Sequence, residues 1–137
     1  MAEPSDRPHP GPQTSGSPER PPQQLVGPHL VFDLAAESAQ IRYERGYREG
    51  DRNANTLVKT DGLRVVLTAL RKGTRLQEHV APGWTSVHAL EGRLRLRFPD
   101  QTVELPAGHL LALAPRLPHD VEALEDSVFL LTIATAD

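Results

Sequence analysis

The stretch TSVHALEGRLRLRF, residues 85 to 98, decides how this sequence folds. After the Glu-Gly pair, the segment RLRLRF alternates strictly, with Leu94, Leu96 and Phe98 on one face and three arginines on the other. Because successive side chains of a strand point to opposite faces, this period of two predicts a half-buried β-strand. TSVHAL alternates too, which predicts another strand before the Glu-Gly turn.

Turn-forming residues recur at intervals of about ten residues around this stretch, which is typical of an all-β sandwich or barrel. They are Asp61-Gly62, Lys72-Gly73, Pro82-Gly83, Pro99-Asp100, Pro106-Ala107-Gly108 and Pro115. Between them, LRVVLTAL alternates, whereas HLLALA and SVFLLTIA are continuously apolar and suit strands covered on both faces. The fold predicted is an antiparallel jelly-roll β-barrel, whose closure removes free sheet edges and leaves a cavity lined by every second residue.

The N-terminal part of the chain has a different composition. Eight of the 13 prolines fall in the first 28 residues, with Gly, Ser and Gln between them. Such a segment has little to bury, so we expect residues 1–28 to be a disordered tail and residues 29–137 to form one barrel domain. Two alternatives stay open after the tail: a strand over residues 30–34 or a short helical turn over residues 34–40.

Composition excludes several classes of function. The chain has no cysteine, which excludes disulfides, thiolate metal sites and cysteine nucleophiles. Its 15 basic and 18 acidic residues are well mixed, so we expect no nucleic-acid partner, and we interpret Arg93, Arg95 and Arg97 as a solvated strand face. No segment approaches the ~18 apolar residues of a membrane span, so we expect no membrane partner and a cytoplasmic location.

The spacing of glycines and histidines resembles the cupin superfamily, whose two motifs are G-x5-H-x-H-x3-E-x6-G and G-x5-P-x-G-x2-H-x3-N. Gly73, His79 and Gly92 match the first motif, and Gly108 and His119 match the second. The resemblance covers about residues 62 to 134 and implies the same jelly-roll barrel.

The resemblance also implies a metal site, because the family's three histidines and one glutamate usually hold a divalent ion inside the barrel. Here Ala81 stands at the second histidine position and Thr85 at the glutamate position. The expectation is therefore either no cofactor or one divalent ion, Fe, Zn, Ni, Mn or Cu, held by His79 and His119. In the second motif, Arg116 occupies a glycine position, where a side chain resists positive φ.

Two further residues near the first motif have open roles. Alternation along the strand puts Val87 and Ala89 on the inner face and His88 on the outer one, so His88 becomes a third metal ligand only if a bulge lies between it and Thr85. Trp84 is the only tryptophan. Trp84 either forms a flat wall against an organic ligand, or it packs over the barrel end or against a second copy of the chain.

These observations predict a small barrel that binds or senses a small organic molecule. His79, His119 and Trp84 are the expected polar and aromatic ligand contacts, over an apolar floor that includes Val87 and Ala89. The rival hypothesis is a metal-dependent dioxygenase, isomerase or epimerase that uses His79, His119 and His88. We also expect a homodimer to which residues 29–60 contribute.

Overall fold

The computed structural model describes residues 28–134, without the side chain of His79, so the predicted tail lies outside the described residues except for Pro28. Two helices precede nine strands. In chain order the elements are α1 (Leu34–Tyr43), α2 (Arg45–Glu49), β1 (Arg52–Lys59), β2 (Leu63–Leu70), β3 (Arg75–His79), β4 (Thr85–Glu91), β5 (Arg93–Phe98), β6 (Gln101–Pro106), β7 (Leu110–Leu113), β8 (His119–Ala123) and β9 (Ser127–Ala134).

The strands form two antiparallel sheets, which confirms the predicted jelly roll. One sheet has the order β1-β2-β9-β4-β7, and the other has the order β3-β8-β5-β6. Alternate residues of both sheets meet in a shared core between them. This inner core consists of Leu70, Val87, Ala89, Leu94, Leu96, Leu105, Val121, Ala123 and Phe129.

The helices cover part of the outer face of the five-stranded sheet. α1 begins at Asp33, whose carboxylate accepts a hydrogen bond from the Ala36 N–H at 3.1 Å, and it presents Ile41 to the sheet. Together with Tyr47 from α2, Ile41 packs in a second core cluster that also contains Leu57, Leu67, Ala69 and Val128. Residues 30–33 form no strand, so the strand predicted over residues 30–34 was wrong. The helical turn predicted over residues 34–40 is present as part of α1, which runs on to Tyr43.

Backbone conformation at the turns supports the motif alignment. Among the described residues, positive φ occurs at Gly73, Gly92, Gly108 and Arg116, which are the four glycine positions of the two motifs. At Gly92, a Cβ atom would lie 2.3 Å from the carbonyl oxygen of Asp126, so no side chain fits there. Arg116 adopts φ 62° despite its side chain, a conformation that costs roughly 1–2 kcal/mol in a non-glycine residue.

No helix within residues 28–134 is long and apolar enough to cross a membrane.

Candidate ligand site at one end of the barrel

The two motif histidines lie at the same end of the barrel. The loop over residues 80–84 follows β3, the loop over residues 114–118 precedes β8, and the Arg116 N–H donates a 2.8 Å hydrogen bond to the Ala81 carbonyl. His79 at the end of β3 pairs with His119 at the start of β8. The structure therefore brings the backbones of these two positions together on neighbouring strands.

Two rows of inner-face positions surround this end, which we call the barrel mouth. In the five-stranded sheet the row follows the register across β2, β9, β4 and β7, and in the four-stranded sheet it follows β3, β8, β5 and β6. The first row is Arg64, Ile133, Thr85 and Leu113. The second is His119, Phe98 and Gln101, and the backbone of His79 pairs with that of His119.

His119 is the buried polar group of the mouth. It is 3% exposed and alternates in register with Val121 and Ala123, which belong to the inner core. Its Nδ1 lies 3.0 Å from the Leu117 carbonyl oxygen, and its ring centroid lies 6.2 Å from that of Phe98. A carbonyl can only accept a hydrogen bond, so this contact favours the tautomer with the proton on Nδ1 and the lone pair on Nε2.

The side chain of His79 lies outside the described residues, so only its backbone register is given. Its predicted role as a ligand-binding or metal-binding residue stays a prediction.

The positions where the family carries its other metal ligands hold no suitable donor. Ala81 has none, and its carbonyl already accepts from Arg116. The Thr85 hydroxyl donates to the Gly83 carbonyl at 3.0 Å, which ties it into the turn before β4. Among the described side chains, no three His, Asp or Glu residues are arranged to hold a metal ion. At two of the four ligand positions that the resemblance implies, the chain therefore has no side chain that commonly binds a metal ion.

His88 lies on the outer face of the five-stranded sheet, as alternation predicts. Along β4, Thr85, Val87 and Ala89 are buried and His88 is half-buried between Leu110 and Leu130 of the neighbouring strands. The irregularity in the pairing of β4 with β9 falls between Ala89 and Glu91, beyond His88. No bulge precedes His88 in this pairing, so the condition for turning it inward is not met.

Val87 and Ala89 lie in the inner core, below the mouth, and are at most 1% exposed. Trp84 is different, because 62% of it is exposed. Its carbonyl accepts from the Ala134 N–H at 2.9 Å, which continues the pairing of β4 with β9 by one residue. On that alternation Trp84 shares the outer face with His88. Its role as a ligand wall or as a contact stays a prediction.

Outside the mouth, Asp120 anchors an ion-pair cluster on the outer face of the four-stranded sheet. Arg75 Nη2 lies 2.8 Å from its Oδ2, and Arg97 Nη1 lies 3.4 Å from its Oδ1. Burial raises the pKa of the Asp120 carboxyl, but the hydrogen bonds and charges of the two arginines outweigh it and lower the pKa below its ordinary value. Arg97 also donates to Glu122 at 2.6 Å, which raises the pKa of its guanidinium.

Sequence reasoning missed one residue of the mouth, Arg64. The available signal was the alternation of LRVVLTAL, in which Arg64 falls on the face opposite to Leu63 and Val65. That face is the inner one, since Leu70 of the same alternation lies in the inner core.

The chain is similar to several solved structures, although no protein-family model and no curated protein matches it. A cupin superfamily protein from Desulfitobacterium hafniense is 20% identical, with a TM-score of 0.60, over 63% of this chain and 78% of that chain. A conserved protein of unknown function from Streptococcus pyogenes is 23% identical, with a TM-score of 0.64, over 82% of this chain and 92% of that chain.

A cupin 2 conserved barrel domain protein from Leptotrichia buccalis is 28% identical, with a TM-score of 0.61. The match covers 64% of this chain and 43% of that chain. Together these likenesses agree with the two-sheet architecture described above.

Proposed function

We propose that this chain, a member of the cupin superfamily by its fold, binds or senses a small organic molecule at the barrel mouth. The observation that carries the proposal is the placement of buried His119 on the inner face, at the edge of an apolar core. Sites for small molecules combine mostly apolar walls with a few polar groups that fix the ligand's orientation. His119 supplies such a group, and Phe98 beside it supplies an aromatic wall.

The donor set supports binding over metal catalysis. Ala81 and Thr85 replace two of the four ligands that the resemblance implies, and His88 lies on the outer face. A site of two histidines holds a metal ion more weakly than the three or four ligands of durable sites. We therefore place ligand recognition, rather than Lewis-acid chemistry, at the mouth.

We further propose that the protein acts as a homodimer. The copies meet through the part of the five-stranded sheet's outer face that α1 leaves uncovered, where Trp84 and Leu110 are 62% and 64% exposed. Large exposed apolar side chains on one face are typical of protein contacts.

The test of ligand binding measures the melting temperature with benzoate, benzamide, succinate and glucose. A compound at ten times its Kd adds about 1.4 kcal/mol of stability, which raises the melting temperature of a domain of this size by roughly 5 °C or more. We expect His119→Ala to abolish the rise caused by any compound that binds. The matched control is His88→Ala, which removes an imidazole from the outer face and should leave the rise unchanged.

Metal content measured on the same preparations separates the proposal from its rival. If the wild type carries about one equivalent of Fe, Zn, Ni, Mn or Cu, also after metal is added back, and His119→Ala loses it, a metal-dependent enzyme is the better account. Metal far below one equivalent, together with a ligand-induced rise that depends on His119, supports the binding barrel.

A further inference from the structure

Arg64 places a cation on the inner face at the mouth. It pairs with Ile133, which pairs in turn with Thr85, so it belongs to the first row of the mouth. Its neighbours in alternation, Val66 and Thr68, are buried, and Arg64 itself is half-buried. A charge that is taken out of water is costly unless it has a partner, so a half-buried arginine on the inner face is suited to an anionic partner.

Arg64 has no side-chain partner within the described part of the chain, and Arg116 shares this property. Every other arginine of residues 28–134 has a carboxylate, a carbonyl or an aromatic ring as its partner. These arginines are Arg42, Arg45, Arg48, Arg52, Arg71, Arg75, Arg93, Arg95 and Arg97. The two unpaired guanidinium groups therefore both belong to the end of the barrel that holds His119.

Arg116 is presented by an unusual backbone. Its φ of 62° belongs to a conformation that glycine adopts freely, and its N–H donates to the Ala81 carbonyl in the opposite loop. Strain of this kind in a non-glycine residue is concentrated at functional sites, where the surrounding structure holds it. The loop thus carries an exposed cation three residues before buried His119.

From this geometry we infer that the ligand is a small organic carboxylate, with Arg64 and Arg116 as the residues that recognise its charge. The inference rests on the proposed function and names the class of ligand. Guanidinium groups form paired hydrogen bonds with carboxylates. The same row offers apolar side chains to an organic body, with Ile133 next to Arg64 and Leu113 at the far end of the row. Phosphate is the poorer fit, because the sequence has no glycine-rich loop of the phosphate-binding kind.

The test is calorimetric titration with benzoate and succinate, their neutral counterparts benzamide and succinamide, and inorganic phosphate, all at one ionic strength. The variants are Arg64→Gln, Arg64→Lys and Arg116→Gly. Arg48→Gln is the matched control, because it removes an exposed guanidinium that lies over the Tyr43 ring on the helical side. Glycine at residue 116 keeps the observed backbone while it removes the cation.

We expect a carboxylate to bind the wild type and Arg64→Gln to weaken it about 10- to 100-fold, with a smaller loss in Arg116→Gly. Arg64→Lys should recover part of the affinity, since it restores the charge without the paired hydrogen bonds. Arg48→Gln should match the wild type.

Equal affinity for a carboxylate and its amide that Arg64→Gln does not change overturns the inference and leaves the proposed function standing. Binding of phosphate without binding of a carboxylate also overturns the inference, and it leaves the proposed function standing only if a neutral compound binds. If neither the acids nor the neutral compounds bind the wild type, the proposed function fails together with the inference. Variants with wild-type melting temperatures in the absence of ligand show that a loss of affinity is not a loss of fold.

Discussion

The outer faces of the two sheets are built from different side chains. On the four-stranded sheet, Arg95 lies between Glu104 of one neighbouring strand and Glu122 of the other, and Arg97 pairs with Asp120 and Glu122. On the five-stranded sheet, two registered rows contain no carboxylate, ammonium or guanidinium group. The rows are Val65, Thr132, Ser86 and Ala112, and Leu67, Leu130, His88 and Leu110.

The two outer faces differ in whether they can stay exposed to solvent without further protein packed on them. Paired charges keep their hydration at the surface, whereas an uncharged face needs another layer of protein. α1 supplies that layer mainly over β1 and β2, and its core cluster reaches Val128 of β9. Along one row the exposed fraction rises from 0% at Leu67 through half-buried Leu130 to 64% at Leu110, so the cover ends before β7.

The largest expected effect is on the free energy of unfolding, and it concerns the part of the five-stranded sheet's outer face that α1 covers. Ile41→Ala removes a side chain that is 0% exposed and leaves a cavity between α1 and β2, so we expect unfolding to become about 2–5 kcal/mol easier. Urea unfolding followed by circular dichroism measures the change. A loss below about 1 kcal/mol would show that α1 does not cover this face in solution.

The second prediction concerns the uncovered half. Leu110→Lys adds a charge to the exposed edge of the same row, and we expect it to weaken the proposed homodimer about 10- to 100-fold. Sedimentation velocity at several concentrations measures the dimer. Thr102→Lys is the matched control, because Thr102 is exposed on the opposite sheet in register with Arg97. A wild type that is monomeric at all concentrations tested would contradict the proposal.

A smaller effect is expected on the charged face. Asp120→Asn removes the carboxylate that Arg75 and Arg97 share, so we expect a loss of about 1–2 kcal/mol at pH 7. Because the pKa of Asp120 is lowered in the folded protein, its contribution is present above the unfolded pKa of about 3.9 and is lost as pH falls through the folded pKa. The difference in stability between the two proteins should therefore begin to shrink below about pH 4 and disappear only below the folded pKa of Asp120.

Urea unfolding at pH 7 and at pH 3 measures this dependence on pH. Arg95→Gln is the control on the same face, and its effect should stay within about 0.5 kcal/mol because its ion pairs are solvent-exposed. A gap between Asp120→Asn and the wild type that persists unchanged at pH 3 would show that the charge of Asp120 is not its cause.

Alternation and turn spacing predicted much of the fold. The inner and outer faces of β4 and β5 follow from TSVHAL and RLRLRF, and the glycine spacing identified the turns that carry positive φ. Alternation and turn spacing could not predict the length of α1. Most of the stability of such a helix comes from packing against the sheet, here through fully buried Ile41, and not from its local sequence.

The candidate site was predicted in part. Motif spacing placed His79 and His119 on paired strands, but neither alternation nor motif could reveal that Arg64 belongs to the same end of the barrel. That placement depends on the pairing of β2 with β9, two segments more than 50 residues apart in the sequence. Likewise, the partners of the arginines in β5 come from β6 and β8, so their charge balance is visible only in the folded sheet.

The left-handed backbone at Arg116 has a consequence for how the mouth can change. Its shape is held by a main-chain hydrogen bond to Ala81, which any residue other than proline can donate. The side chain at this position can therefore be replaced without changing the backbone of the loop. Glycine and asparagine adopt the positive φ at the lowest energetic cost, and β-branched residues at the highest. Residue 116 is for this reason the natural first position at which to vary the side chain in tests of the proposed ligand recognition.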